Sequence, residues 1–225
     1  MCNRVGVIVG VLGGTGPAGG ALALRLASVG HRVLIGSRSA DRAAEVAAEL
    51  TGRWPGRQLD LAGAANDDAA GTAEVVVVAT PWDGAAPTAG GLAGALAGKV
   101  VISMANALAK VGDELQALVP PRGSIAVAVQ DAAPQALVAA AFHHVPAREL
   151  GQIDAPVEGD VLVCSDHAEA TRVTSAIVDQ LPGLRAIDAG SLSAAGAIEA
   201  FTAVILGVNR RYRRRSTLRL VGVET

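Results

Sequence analysis

An apolar run from Gly6 to Leu12 breaks into Gly13-Gly14-Thr15-Gly16-Pro17-Ala18-Gly19. It passes at once into an alanine- and leucine-rich stretch, Pro17 to Val29. A strand that turns through glycines into a helix is the opening of a βαβ unit. Gly14, Gly16 and Gly19 stand in GxGxxG spacing. The first permits the tight turn, the second lets a pyrophosphate approach the backbone, and the third lets the helix pack on the sheet. The free N–H groups at the start of that helix form an anion site. No GK[ST] follows, which excludes a P-loop for nucleoside triphosphates.

The rest of the chain alternates short β-branched runs with longer amphipathic stretches, the pattern of a parallel sheet covered by helices. Arg32 to Ile35 is predicted as a second strand and Ser39 to Leu50 as a second helix. Gln58 to Leu61 reads as a weak third strand. Val75 to Ala79 is a continuous apolar run suited to a strand buried on both faces. Asp83 to Ala97 is predicted as one helix and Val100 to Ser103 as the next strand. Ser124 to Ala132 reads as a helix and Ala136 to Phe142 as a sixth strand.

Pro146, Pro156 and Gly159 mark a loop-rich connection. Beyond it the pattern predicts a strand (Val161 to Cys164), a helix (Ala168 to Gln180), a strand (Leu184 to Ile187) and a last helix from about Leu192. Ile198, Phe201, Ile205 and Val208 recur at helical steps in that last helix and predict one buried apolar face. The expected architecture is α/β: a Rossmann-type doubly wound parallel sheet with a small C-terminal α/β extension. Residues 1–150 would form the dinucleotide-binding unit, and residues 151–225 would complete a substrate cleft.

The end of the second strand decides which dinucleotide fits. An acidic residue there would accept from the ribose hydroxyls of NAD. This chain has Ile35-Gly36-Ser37-Arg38-Ser39, with Arg42 one turn further on. A carboxylate would repel a 2′-phosphate, whereas Arg38 and Arg42 can pair with it and Ser37 can donate to it. Two cations at a helix start are unfavourable unless an anion is bound. The reading is therefore NADP rather than NAD.

Bulk properties narrow the partners. At 225 residues the chain can build a core without staples. A formal net charge of −2 offers no general attraction to nucleic acid or anionic membrane. The N-terminal apolar run is too short to span a bilayer. Cys2 and Cys164 form no CxxC pair and read as reduced bystanders, so a cytoplasmic location is expected. No metal site is expected, because His31, His143, His144 and His167 lack further ligands at compatible spacing.

Val11 to Ala43, VLGGTGPAGGALALRLASVGHRVLIGSRSADRA, resembles the NADPH-dependent reductases of the deazaflavin coenzyme F420. The resemblance continues through Thr80-Pro81-Trp82, Phe142-His143-His144-Val145-Pro146-Ala147, Asp188-Ala189-Gly190-Ser191-Leu192 and Val208-Asn209-Arg210-Arg211-Tyr212. It implies hydride transfer between NADPH and coenzyme F420, a small C-terminal subdomain and a homodimer. It also implies that Thr15, Gly16, Pro17, Ala18, Ser37, Arg38 and Arg42 hold the phosphates, and that Thr80, Trp82, Asn106 and Ala147 line the nicotinamide end. Ser103-Met104-Ala105-Asn106 departs from the proline-containing version of archaeal members, and the tail is more basic than theirs.

Several residues keep two readings. Trp82 suits either the cleft or a core or dimer contact. His143 suits a pocket wall, and as a weaker candidate a proton donor, since hydride transfer needs alignment more than a side-chain base. The run Arg210 to Arg215 is either a solvated helix end or a contact for the anionic phosphate and glutamate tail of the deazaflavin. Alternatives to the activity itself are reduction of a quinone, ferric chelate or small carbonyl by NADPH, or a non-catalytic NADP sensor.

Overall fold

The structure, a computed structural model, describes residues 6–223; Cys2 lies outside them. One eight-stranded sheet runs through the molecule. Its strands are β1 (Ile8–Leu12), β2 (Arg32–Ser37), β3 (Leu61–Ala65), β4 (Val75–Val78), β5 (Val100–Ser103), β8 (Leu137–Ala140), β9 (Gly159–Ser165) and β10 (Leu184–Asp188). The spatial order is β10-β9-β8-β5-β4-β1-β2-β3. Every neighbouring pair is parallel except β8 and β9. From β1 the chain winds outward to β2 and β3, then returns to lay β4 on the other side. The crevice of a doubly wound sheet opens at that reversal.

The apolar runs account for this order. All four residues of β4 are buried. Val75 and Val77 belong to the apolar cluster on one face, Val76 and Val78 to the cluster on the other. Alternate residues of a strand point to opposite faces, so a run of valines suits a strand covered on both sides. Leu12 pairs with both Gly36 and Val78, Val78 with Ser103, and Ser103 with Ala140. The carboxyl ends of five strands therefore lie level. The glycine turn, Ser37, Thr80, Asn106 and His143 all lie just past that edge.

Helices α1 (Pro17–Ser28), α2 (Ala40–Gly52), α3 (Asn66–Thr72), α4 (Trp82–Gly91), α5 (Ala93–Leu96), α6 (Ile125–Ala132), α7 (Ala147–Leu150), α8 (Ala168–Val178) and α9 (Ala195–Tyr212) cover the sheet. Small side chains bring them close. A Cβ on Gly19 would lie 2.9 Å from both the Ala79 Cβ and the Gly14 Cα, so α1 packs on the sheet only because Gly19 has none.

Several local expectations shift. The third strand lies at Leu61–Ala65 rather than Gln58 to Leu61, because its Leu-Ala-Gly-Ala-Ala sequence carries no β-branched signal. The helix expected over Asp83 to Ala97 is two, divided at Leu92. A hairpin of β6 (Leu108–Val111) and β7 (Glu114–Ala117) was not anticipated; it turns at Gly112, whose φ is 58°. Gly112-Asp113 between two short runs was the available signal.

Beyond the Pro146–Gly159 connection, β9 and β10 are hydrogen-bonded into the same sheet. Val161 and Val163 share an apolar cluster with Val9 and Val11. The expected apolar face of α9 is corrected. Ile198 is buried, but Phe201 and Val208 are exposed, and the buried positions include Glu199 and Thr202. The first turns of α9 pack on α6, whereas its later turns face the small β6–β7 hairpin and, through Asn209, hold Ser216 of the C-terminal tail.

Candidate functional site

The glycine turn is built as the motif requires. Gly14 N–H donates to Val11 O at 3.0 Å and Gly16 N–H to Gly13 O at 3.1 Å. Gly13 adopts φ 73°, and a Cβ there would lie within 2.9 Å of Thr80 backbone atoms. Gly16 is the N-cap of α1 and brings no side-chain acceptor; Pro17 follows at the first turn, which holds no acidic residue. The helix's own hydrogen bonds leave its opening N–H groups unsatisfied, and its dipole adds positive potential there.

A cleft of about 760 Å³ opens over this turn. Thr15, Gly16, Pro17 and Ala18 line it together with Ser37 and Arg38 from the end of β2 and Thr80 and Pro81 from the end of β4. Ser39, not Ser37, caps α2 by accepting from Arg42 N–H at 3.3 Å. Ser37 and Arg38 are thus left outside the helix and beside the cleft. Arg38 is exposed and forms no ion pair among the described residues. Two buried acceptors lining the cleft, Asn66 Oδ1 and Thr80 Oγ1, have no hydrogen-bond partner. Unpaired buried polar atoms are rare in a finished interior. Asn66 was not singled out from sequence, since nothing in its neighbourhood signals a strand end.

The other candidates divide into two groups. Arg42 and Ala147 line a second groove that shares Thr15, Gly16 and Pro17 with the first, and Arg42 pairs with Glu45 at 3.0 Å. Asn106 and His143 meet past the ends of β5 and β8. Asn106 Nδ2 donates to His143 O at 3.0 Å. The Thr202 hydroxyl lies 3.1 Å from Asn106 Oδ1 and 3.2 Å from the same carbonyl. These donors hold a turn in which buried Phe142 takes φ 66°, a left-handed conformation costing a non-glycine residue roughly 1–3 kcal/mol. Trp82 begins α4 and is 37% exposed, so it is not a core aromatic.

His143 is buried with both ring nitrogens unpartnered. Burial, then the neighbouring His144, lowers its pKa to about 3. The ring is therefore neutral at ordinary pH. His144 is held down by burial as well, and it packs edge-on to Phe201 with ring centres 6.1 Å apart. Burial pushes the Cys164 thiol up to about 11, which leaves it unreactive. Among the described residues no group of three or more His, Cys, Asp or Glu side chains is placed to hold a metal.

The C-terminal basic run does not form a single face. Arg210 pairs with Asp113 of the hairpin, Arg213 turns the chain at φ 52°, and Arg215 pairs with Glu149 on α7. Past it the chain is fastened to the sheet: the carboxylate of buried Asp160 accepts from Arg185 and from Leu220 N–H.

Known proteins share these features. The family model described as NADP oxidoreductase, coenzyme F420-dependent, matches residues 8–107, from β1 past the end of β5. The F420-dependent NADP reductase of Methanocaldococcus jannaschii is 37% identical over 96% of this chain and 99% of its own length. That of Methanothermobacter marburgensis is 35% identical over 92% and 95%. A crystal structure described as an F420-dependent NADP-reductase from an Arthrobacter species superposes with a TM-score of 0.80 at 26% identity, covering 97% of this chain and all of that one. Similarity at this level over nearly the full length of both sequences decides membership: the chain belongs to the family of coenzyme F420-dependent NADP oxidoreductases.

Proposed function

We propose that this protein catalyses reversible hydride transfer between NADP(H) and coenzyme F420. The observation that carries the dinucleotide half is the meeting of the α1 N-terminus with Ser37 and Arg38 in one cleft, with no carboxylate at the end of β2. The full-length similarity to reductases of that name supports the deazaflavin half. The unpartnered Asn66 and Thr80 oxygens and the Cβ-free turn fit a dinucleotide lying across the strand ends.

In this reading the backbone of Thr15 to Ala18 cradles the pyrophosphate, and Gly14 and Gly19 permit the fit. Arg38 and Arg42 neutralise the 2′-phosphate, and the Ser37 hydroxyl donates to it. Thr80, Trp82, Asn106 and Ala147 orient the nicotinamide, with the residues after about 150 completing the cleft. When bound, the nicotinamide and deazaflavin rings supply the hydride chemistry; the protein contributes alignment and exclusion of water. His143, neutral and buried, serves as wall rather than acid.

A homodimer fits the outer surface. Val204 is 55% exposed on α9 and Val111 52% exposed on the hairpin, beside a groove of about 1050 Å³. Asp113 and Glu114 line the same groove as Arg210 and Arg211, so it offers both signs of charge, beside exposed apolar side chains, to a second copy. The Leu192–Tyr212 segment is also long and apolar enough to cross a membrane by length and composition. Against that use, its buried Glu199 and Thr202 are hydrogen-bonded to the rest of the fold. A cytoplasmic location agrees with Cys164, which is buried and forms no disulfide among the described residues.

The direct experiment mixes the protein with NADPH and oxidised coenzyme F420 and follows loss of the deazaflavin's visible absorbance, with NADH as control. Rapid bleaching with NADPH alone supports the proposal. Tight NADPH binding without bleaching would leave the dinucleotide site standing and remove the deazaflavin.

A further inference from the structure

The chain leaves the sheet between the end of β8 at Ala140 and the start of β9 at Gly159. No strand ladder therefore sets where Ala147, on α7, stands relative to the glycine turn. The two are nonetheless neighbours: Ala147 and Arg148 line one groove with Thr15, Gly16 and Pro17. Whatever fixes that spacing has to act between α7 and α1.

Apolar packing supplies part of the contact. Leu150 and Ile153 are buried in the cluster that holds Leu22 and Leu26 of α1, and a Cβ on Gly151 would lie 3.7 Å from the Ala21 Cβ. Such contact is non-directional, so it draws the segment in without fixing its register.

The direction comes from Arg25, which is 1% exposed on the buried side of α1. Its Nε donates to Leu150 O at 2.8 Å. One terminal nitrogen donates to Glu149 O and Gln152 O at 2.8 Å, and the other to Ala155 O at 2.9 Å. No carboxylate pairs with it among the described residues. A buried cation is tolerated only where dipoles replace its water, and four carbonyls do so here. Leu150 ends α7, and the last carbonyls of a helix lack partners within it, so the guanidinium also satisfies a group that would otherwise be orphaned. A planar fork with every nitrogen engaged fixes both the position and the orientation of what it binds, which a single ammonium cannot do.

We infer that Arg25 is a positioning residue for hydride transfer: it clamps the Glu149–Ala155 segment to the helix that carries the glycine turn, and so sets the nicotinamide end of the cleft against its pyrophosphate end. The inference rests on the function proposed above, in which Ala147 orients the nicotinamide. Arg25 stands about two turns along α1 from Pro17 and acts only through the carbonyls it holds. The adenosine end, with Ser37 and Arg38, does not depend on it. Misplacing a reacting group by about 1 Å lowers the rate by up to roughly 100-fold.

The test compares Arg25→Met and Arg25→Lys with the wild type and with Val178→Ala, a cavity in α8 that serves as the control for lost stability alone. Thermal unfolding and circular dichroism give the folded fraction of each. Three quantities are then measured: the affinity for 2′,5′-ADP, which has no nicotinamide; the emission of bound NADPH, which reports the surroundings of the reduced nicotinamide; and kcat with coenzyme F420, with its isotope effect for NADPH deuterated at the transferred position. In Arg25→Met the 2′,5′-ADP affinity should be unchanged and the emission of bound NADPH should move toward that of the free nucleotide. Its kcat should fall roughly 10–100-fold, with a larger isotope effect. Arg25→Lys should fall between, because it keeps the charge but reaches fewer carbonyls, and it carries the comparison if Arg25→Met does not fold. Val178→Ala should lose stability and keep the wild-type emission and isotope effect. Emission and isotope effect left unchanged in the Arg25 variants, or altered equally in Val178→Ala, would overturn the inference. So would a loss of 2′,5′-ADP affinity in step with that for NADPH, which would trace the effect to the glycine turn itself. A wild type that leaves coenzyme F420 unbleached would remove the proposed function, and the emission comparison would then decide the role of Arg25 by itself.

Discussion

Glu199 on α9 reaches the start of α6, where its carboxylate accepts the backbone N–H of Ile125 at 2.8 Å and, through its other oxygen, that of Ala126 at 3.0 Å. Ser124 caps the same helix by accepting from Val127 N–H at 3.0 Å. Two side chains thus satisfy three of the N–H groups that a helix leaves open.

Burial pushes the Glu199 carboxyl up to about 7, against the lowering effect of its two backbone bonds. A carboxyl raised in the folded state binds its proton more tightly there than in the unfolded chain. Its stabilising contribution is therefore full below the unfolded value of 4.5 and is lost as pH rises through about 7. Urea unfolding of wild type and Glu199→Gln should show a stability difference that moves against the wild type across that window, by of the order of 2–3 kcal/mol. A pH-independent difference would mean that Glu199 is ionised throughout.

Arg38 should determine the choice of dinucleotide. Arg38→Ala removes a charge-assisted contact to the 2′-phosphate, so NADPH should bind roughly 10–100-fold more weakly while NADH binding changes little. Titration of each nucleotide by intrinsic fluorescence or calorimetry checks this. Equal losses for both would refute the assignment.

Turnover should be indifferent to the ionisation of His143. With a pKa near 3 it carries no proton to give at neutral pH. The pH profile of kcat for His143→Gln should keep the shape of the wild-type profile between about pH 5 and 9, whatever the change in its height. A missing limb in the variant would restore the acid role.

The outer face of α9 should hold two copies together. Val204→Glu places a charge in the exposed apolar strip and should convert a dimer to a monomer, read as a halved mass by light scattering. A wild type that is already monomeric at high micromolar concentration would remove the dimer.

The glycine turn and the strand ends around it are legible in the sequence, and the reason is locality. The glycine turn, the strand before it, the helix after it and Ser37-Arg38 lie within about thirty residues, and each follows from backbone sterics and charge at short range. Val75–Val78 was equally plain, because four valines in a row suit few environments besides the middle of a covered sheet. The third strand was misplaced and α9 was given too deep a burial for the same cause: alanine, glycine and spaced aliphatics report periodicity, but not what stands opposite them.

What only the tertiary structure decided involves partners far apart in the chain. Arg25 meets carbonyls more than 120 residues away, Glu199 caps a helix more than 70 residues earlier, and Thr202 closes on Asn106 and the His143 carbonyl. None of these residues carries a local mark, since an arginine or glutamate on an amphipathic helix is ordinarily solvated. Their burial follows from the helices that the topology brings together, α7 against α1 and α6 against α9. The local sequence determined a dinucleotide turn with a preference for a phosphate. The packing of distant segments determined the walls around it, because a buried charge is placed by whatever dipoles the fold brings to it.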